Sequence, residues 1–125
     1  MRNSEELISE FVFKGSAETI EWYFALESFN TVTKEMESKA VNFQSKLLNA
    51  RMELYVNNKT FRSSDGYIEF FDEGKVIVKL GEAEGIFEGQ DYSARLKVFD
   101  DNNPRGHYLV HEDKPQARAE IKVRS

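Results

Sequence analysis

Between Ser16 and Asp65 the chain contains neither glycine nor proline, and this limits its fold more than any other feature. Beyond that stretch Gly66, Gly74, Gly81, Gly85, Gly89, Pro104, Gly106 and Pro115 follow at short intervals. Fifty residues without a breaker favour helix, whereas segments punctuated every eight to ten residues favour short strands joined by turns. The contrast predicts an α+β domain spanning 1–125, with residues 1–57 mainly helical and 66–125 an antiparallel sheet. In that arrangement one or two N-terminal helices pack on a curved five-stranded antiparallel β-meander.

Counting supports a helix. Trp22, Ala25, Phe29, Val32, Met36, Ala40, Phe43, Leu47, Ala50 and Leu54 recur at steps of three or four, a mean of about 3.6. Lys34, Glu35, Lys39, Lys46, Arg51 and Glu53 lie between them, with Glu35 and Lys39 spaced for an i,i+4 pair. The spacing predicts an amphipathic helix over 33–56. Over 17–32 helix is preferred, but Ile20, Trp22, Phe24 and Leu26 alternate, so a strand over 19–26 is the alternative. In that case residues 11–13 would pair with it across Lys14-Gly15-Ser16. A short first helix would carry Leu7, Ile8 and Phe11, with Asn3 or Ser4 as cap and Gly15 as stop.

The second half reads as five strands. Residues 67–71 and 75–80 flank Asp72-Glu73-Gly74, a hairpin signal. Strands over 92–99, 107–112 and 117–124 follow, separated by residues 100–106 and by Asp113-Lys114-Pro115. Alternation sorts their side chains onto two faces. Val76, Val78, Leu80, Ala94, Leu96, Val98, Ala119, Ile121 and Val123, with Tyr92 and Ala117, form the side expected to meet the helix.

Two surfaces emerge as candidates for function. A helix from Trp22 to Leu54 would run about 50 Å, whereas strands of eight residues span under about 30 Å. Its stripe would therefore overhang the sheet, and Trp22, Phe29, Val32, Met36, Phe43 and Leu47 become a candidate protein interface. The outer sheet face carries Lys75, Lys79, Arg95, Lys97, Phe99, Arg118, Lys122 and Arg124, with Glu120 as its lone acid. Clustered cations beside an aromatic suit nucleic acid or another polyanion, although lysine-rich outer faces are also how sheets stay solvated.

Recognisable chemistry is sparse. Cysteine is absent, which excludes disulfides, thiolate metal sites and a Cys nucleophile. His107 and His111 on a strand lie about 13 Å apart, too far to share a metal. Residues 100–106 lack the ligand spacing of a calcium loop and read as a turn. Gly81, Gly85 and Gly89 are set among Glu82, Glu84 and Glu88, which repel phosphate. Neither a phosphate-binding loop nor a nucleophile elbow occurs, so no cofactor and no metal are expected.

The net charge of −5 belongs to the first 74 residues, which hold eight Lys/Arg against thirteen Asp/Glu. No run approaches a membrane span, and Met1-Arg2-Asn3-Ser4-Glu5-Glu6 lacks the pattern of a secretory signal. The expected setting is cytoplasmic, in a cell or an infected host cell, with no membrane partner. The expected function is a non-enzymatic protein–protein interaction module such as an adaptor, inhibitor or assembly component. It would be homo-oligomeric through the long helix, with its partner unidentified. Nucleic-acid binding on the basic face is the first alternative, and a small-ligand pocket or enzyme between helix and sheet is the second.

Overall fold

The computed structural model describes the backbone of residues 7–114 and 117–124, and their side chains except those of 7–9, 26–30 and 36–38. It contains eleven strands and, apart from a 3₁₀ turn at Ser63–Asp65, no helix among the described residues. The strands are β1 (Leu7–Phe13), β2 (Ile20–Tyr23), β3 (Ala25–Asn30), β4 (Glu35–Ala40), β5 (Arg51–Val56) and β6 (Lys59–Arg62). They continue as β7 (Ile68–Phe70), β8 (Lys75–Val78), β9 (Asp91–Asp100), β10 (Asn103–Val110) and β11 (Arg118–Arg124). The α+β expectation is therefore wrong. The chain is nearly all sheet.

The predicted helix over 33–56 is replaced by β4, an irregular connection over 41–50, and β5. The strand alternative upstream is correct for Ile20–Tyr23, although β2 pairs with β8 and not with residues 11–13. The short first helix is also a strand, β1, and the caps expected at Asn3 or Ser4 lie outside the described residues.

The physical reason is that the chain turns without glycine. Lys34, Asn49, Asn57 and Asn58 all adopt left-handed φ, at 63°, 54°, 51° and 60°. Asparagine tolerates that region better than most residues because its short polar side chain bonds locally. The 3.6-residue stripe is a coincidence of spacing across several elements. Its members divide among β2 (Trp22), β3 (Ala25, Phe29), a turn (Val32), β4 (Met36, Ala40), the 41–50 connection (Phe43, Leu47, Ala50) and β5 (Leu54). In β5 the operative period is two: Met52, Leu54 and Val56 are buried while Arg51, Glu53 and Tyr55 point outward.

The five strands expected in the second half are present, but they do not form a meander. β7 and β8 make the expected hairpin over Asp72-Glu73-Gly74, closed by a bond from Phe71 N to Lys75 O of 2.9 Å. β8 then pairs with β2 instead of β9, giving a three-stranded sheet in the order β2-β8-β7. β11 lies between β9 and β1 and is not paired with β10. The main sheet runs β1-β11-β9-β5-β6, with β10 also on β9, and β3–β4 is a separate ribbon. β1 and β11 are parallel, so the first and last described strands are neighbours.

β9 organises the main sheet. Its residues 91–94 pair with β11, while 95–99 pair with β5 and 96–100 with β10. One core joins the two larger sheets, with Leu54, Leu96, Val98, Ile121 and Val123 from one and Ile20, Val76 and Val78 from the other. The alternation read from the second half is thus correct for its inward face. Phe43 caps this core, fully buried, with Phe24 and Phe70 edge-on at 6.2 and 6.4 Å. Among the described residues no helix is long and apolar enough to cross a membrane.

Candidate functional site

The outer face of β5, β9 and β10, continued by β6, collects more chemistry than any other surface described. Register fixes its rows. Arg62 on β6 faces Glu53 on β5, Glu53 faces Lys97 on β9, and Lys97 faces Tyr108 on β10. One step along, Thr60, Tyr55 and Arg95 form a second row, and Arg51 faces Phe99 in a third. Cross-strand neighbours stand about 5 Å apart, so each row is a contiguous surface.

The pairing within these rows leaves one cation distinct. Glu53 is occupied, accepting from the Tyr55 hydroxyl at 2.6 Å and from Arg62 Nε at 3.3 Å. Burial pushes the Tyr55 hydroxyl well above the usual phenol range, and its bond to the Glu53 carboxylate adds to the shift. Arg95 Nε donates to both carboxylate oxygens of Glu112 at 2.9 Å. That bond holds the Glu112 carboxyl down at about 2 and raises Arg95 in turn. Lys97 faces aromatic rings instead, with Nζ 5.3 Å from the Phe99 ring centre and 5.0 Å from that of Tyr108. Among the described residues no carboxylate lies within ion-pairing distance of it.

Local backbone shape serves this arrangement. Gly106 on β10 has φ +75°, and a Cβ there would sit 2.8 Å from Phe99 Cδ1. Only glycine lets the ring lie over that strand. Beside Arg95 and Tyr108 the surface opens into a groove of about 610 Å³ lined also by Tyr55, Lys59, Asp91, Tyr92 and Glu112 among others.

The eight residues read as one basic face divide between two sheets, although register keeps Lys122 and Arg124 of β11 on the same outer face of the main sheet as Arg95, Lys97 and Phe99 of β9. Lys75 on β8 and Lys79 just after it lie with the three-stranded sheet and pair with Glu21 at 4.0 Å and with Glu69. Lys122 and Arg124 are on β11, paired with Glu120 at 3.8 Å and Asp91 at 3.0 Å. Arg118 begins β11 and lines a different cleft. Arg95, Lys97 and Phe99 remain together, joined by Arg51, Tyr55 and Tyr108, which sequence reading missed. Arg51 and Tyr55 were hidden by the helical assignment of their segment. The signal that finds them is the outward half of the β5 alternation.

The six residues proposed for a helical interface are not brought onto one surface by a helix. Trp22 and Phe43 are 6% and 0% exposed and belong to the core, and Leu47 packs against it. Val32, 88% exposed, sits in the turn between β3 and β4, where Phe29 and Met36 are direct cross-strand partners.

His107 lies on β10, and His111 stacks edge-on against Tyr108 at 4.7 Å while its Nδ1 accepts from Asp113 N at 3.0 Å. The turn expected over 100–106 is confined to Asp101 and Asn102, since β9 ends at Asp100 and β10 begins at Asn103, and buried Asp100 Oδ1 accepts from Asn103 N across it at 2.7 Å. No family model matches the chain, and no curated protein or solved structure is significantly similar to it.

Proposed function

We propose that the protein is a non-enzymatic binding module whose working surface is the β5–β9–β10 face, and that its ligand is a single-stranded nucleic acid. The observation that carries this reading is the Lys97 ammonium set against Phe99 and Tyr108 with no carboxylate partner among the described residues. A phosphate needs a cation not already neutralised, and an unpaired base needs an aromatic surface beside it. Lys97 supplies the first, and Phe99, Tyr108 and Tyr55 the second.

Magnitudes set the scale of binding. On this face Arg51, Arg62, Arg95 and Lys97 stand against Glu53, Glu112 and Asp101, the last 3.8 Å from Arg51, a local excess of one positive charge. The overall charge of −5 opposes long-range attraction, so affinity depends on stacking as much as on phosphate contact. Neutralising one phosphate through Lys97 gives a log–log salt slope of about −0.7 for a single strand. The test is fluorescence anisotropy of a labelled oligonucleotide in low and moderate salt. Saturable, salt-sensitive binding that a Lys97→Glu variant abolishes supports the reading. An absence of binding even at low salt refutes it.

A second reading, association with another protein, draws on a separate observation. β1 ends the main sheet, and Phe11 and Phe13 on it are 51% and 40% exposed with their rings stacked at 6.3 Å. An edge strand with exposed aromatics suits pairing with a second copy of the chain. Solution mass by light scattering tests this: a dimer that a Phe11→Ser variant dissociates supports it, and a monomer at all concentrations rejects it.

A further inference from the structure

A second cleft, of about 410 Å³, lies away from the β9 face, between β2 and the start of β11. Its walls are apolar, formed by Trp22, Phe24, Val41, Leu109, Val110 and Ala119. Two carboxyl residues line it as well, Glu21 and Glu10 of β1, and Glu10 Oε1 accepts a hydrogen bond from Trp22 Nε1 at 3.2 Å. Among the described residues no cation comes within ion-pairing distance of it. Partial burial pushes the Glu10 carboxyl above the usual range, with the indole bond offsetting part of that shift.

The other charged groups of the cleft are already engaged or stand apart. Glu21 pairs with Lys75 at 4.0 Å and accepts from the Tyr23 hydroxyl at 3.3 Å. Lys114 Nζ donates to the Tyr108 carbonyl at 2.8 Å. Arg118 lines the cleft without pairing to Glu10, and it and Lys114 are the groups there that repel a cation.

From these contacts we propose that the cleft binds a small apolar molecule carrying a protonated amine, with Glu10 as the counter-ion. An ionised carboxylate held partly out of water and lacking a positive partner is destabilised. A ligand ammonium supplies that partner, while the hydrocarbon body fills walls that offer little else to a polar molecule. The indole edge keeps one carboxylate oxygen oriented, which leaves the other for the amine. A volume near the low end of ligand pockets suits a compact ligand, not a peptide. This proposal is independent of the nucleic-acid reading, because none of its residues lies in the β9 groove.

Trp22 is the chain's only tryptophan and forms a wall of the cleft, so its fluorescence reports occupancy directly. The probes are 2-cyclohexylethylamine and its charge-reversed analogue 3-cyclohexylpropionate, titrated at mildly alkaline pH. The amine is expected to change the emission saturably and to bind at least roughly tenfold tighter than the carboxylate. Glu10→Gln, which keeps an acceptor for the indole, removes that preference, and Arg118→Gln strengthens amine binding. Equal or tighter binding of the carboxylate overturns the proposal, as does the lack of any saturable change with the amine. Undiminished amine binding by Glu10→Gln, in a variant whose near-ultraviolet dichroism matches the parent, also overturns it.

Discussion

Replacing Gly81 by alanine probes how closely the β1–β2 turn packs against the chain that leaves β8. A Cβ at Gly81 would sit 1.9 Å from the Ser16 carbonyl oxygen and 3.0 Å from its carbon. Restoring a tolerable contact of about 3 Å requires a displacement of about 1 Å, and both parties are backbone. That movement breaks the bond from Gly15 N to Gly81 O, now 2.8 Å, which contributes about 1 kcal/mol. It also disturbs Leu80 and Ala83, each 1% exposed, and forced overpacking costs about 1–3 kcal/mol. The total is about 2–4 kcal/mol. Gly89→Ala is the control, because φ is +79° there but nothing lies within 4 Å of its Cβ. It loses only the left-handed backbone preference, about 1–2 kcal/mol. Urea denaturation followed by tryptophan fluorescence reads both variants, and Gly81→Ala should lower the midpoint by about 1–2 M. If Gly81→Ala is no more destabilising than Gly89→Ala, the close approach of these two segments is wrong.

Phe43→Ala should cost about 3–5 kcal/mol in urea denaturation, since that ring is fully buried between Phe24 and Phe70, whereas Val32→Ala stays within about 0.5 kcal/mol. Equal effects at these two positions would contradict the strand assignment. The Glu112 carboxyl, depressed to about 2, contributes stability above its ordinary value of 4.5 and loses it as pH falls towards about 2. The effect is shallow because Arg95 and Glu112 are 45% and 38% exposed, and a Glu112→Gln variant should lack that part of the acid limb in pH-dependent unfolding. On the nucleic-acid face, Tyr108→Ala should weaken oligonucleotide binding by about 1–3 kcal/mol and leave the salt slope unchanged. Lys97→Ala instead reduces that slope by about 0.7, as anisotropy across a salt series would show.

The inward side of the second half was legible because Val76, Val78, Leu96, Val98, Ile121 and Val123 alternate and their strands are bounded by conventional turn residues. Connectivity was not. Nothing local to β8 says that its neighbour is β2, and nothing in β11 announces a parallel partner at the other end of the chain. The first half misled for a specific physical reason. Its turns use Lys34, Asn49, Asn57 and Asn58 in place of glycine, so a stretch without breakers is not a stretch without reversals. Leu54 belongs equally to a helical stripe and to the Met52–Leu54–Val56 alternation, and the longer pattern took precedence over the shorter one. Of the proposed binding face, Arg95, Lys97 and Phe99 were visible as one strand's outer side. Arg51, Tyr55 and Tyr108 came into view only once register placed β5 and β10 on either side of β9.

Whether β5 is a strand beside β9 decides both the fold and the binding face, and proton NMR of the backbone reads it directly. Cross-strand contacts between Leu54 and Leu96, with strong contacts from each α proton to the next amide along Arg51–Val56, are the predicted result. An unbroken series of amide-to-amide contacts through residues 33–56, with none to Leu96, would restore the helix and remove the surface on which Tyr55 meets Arg95.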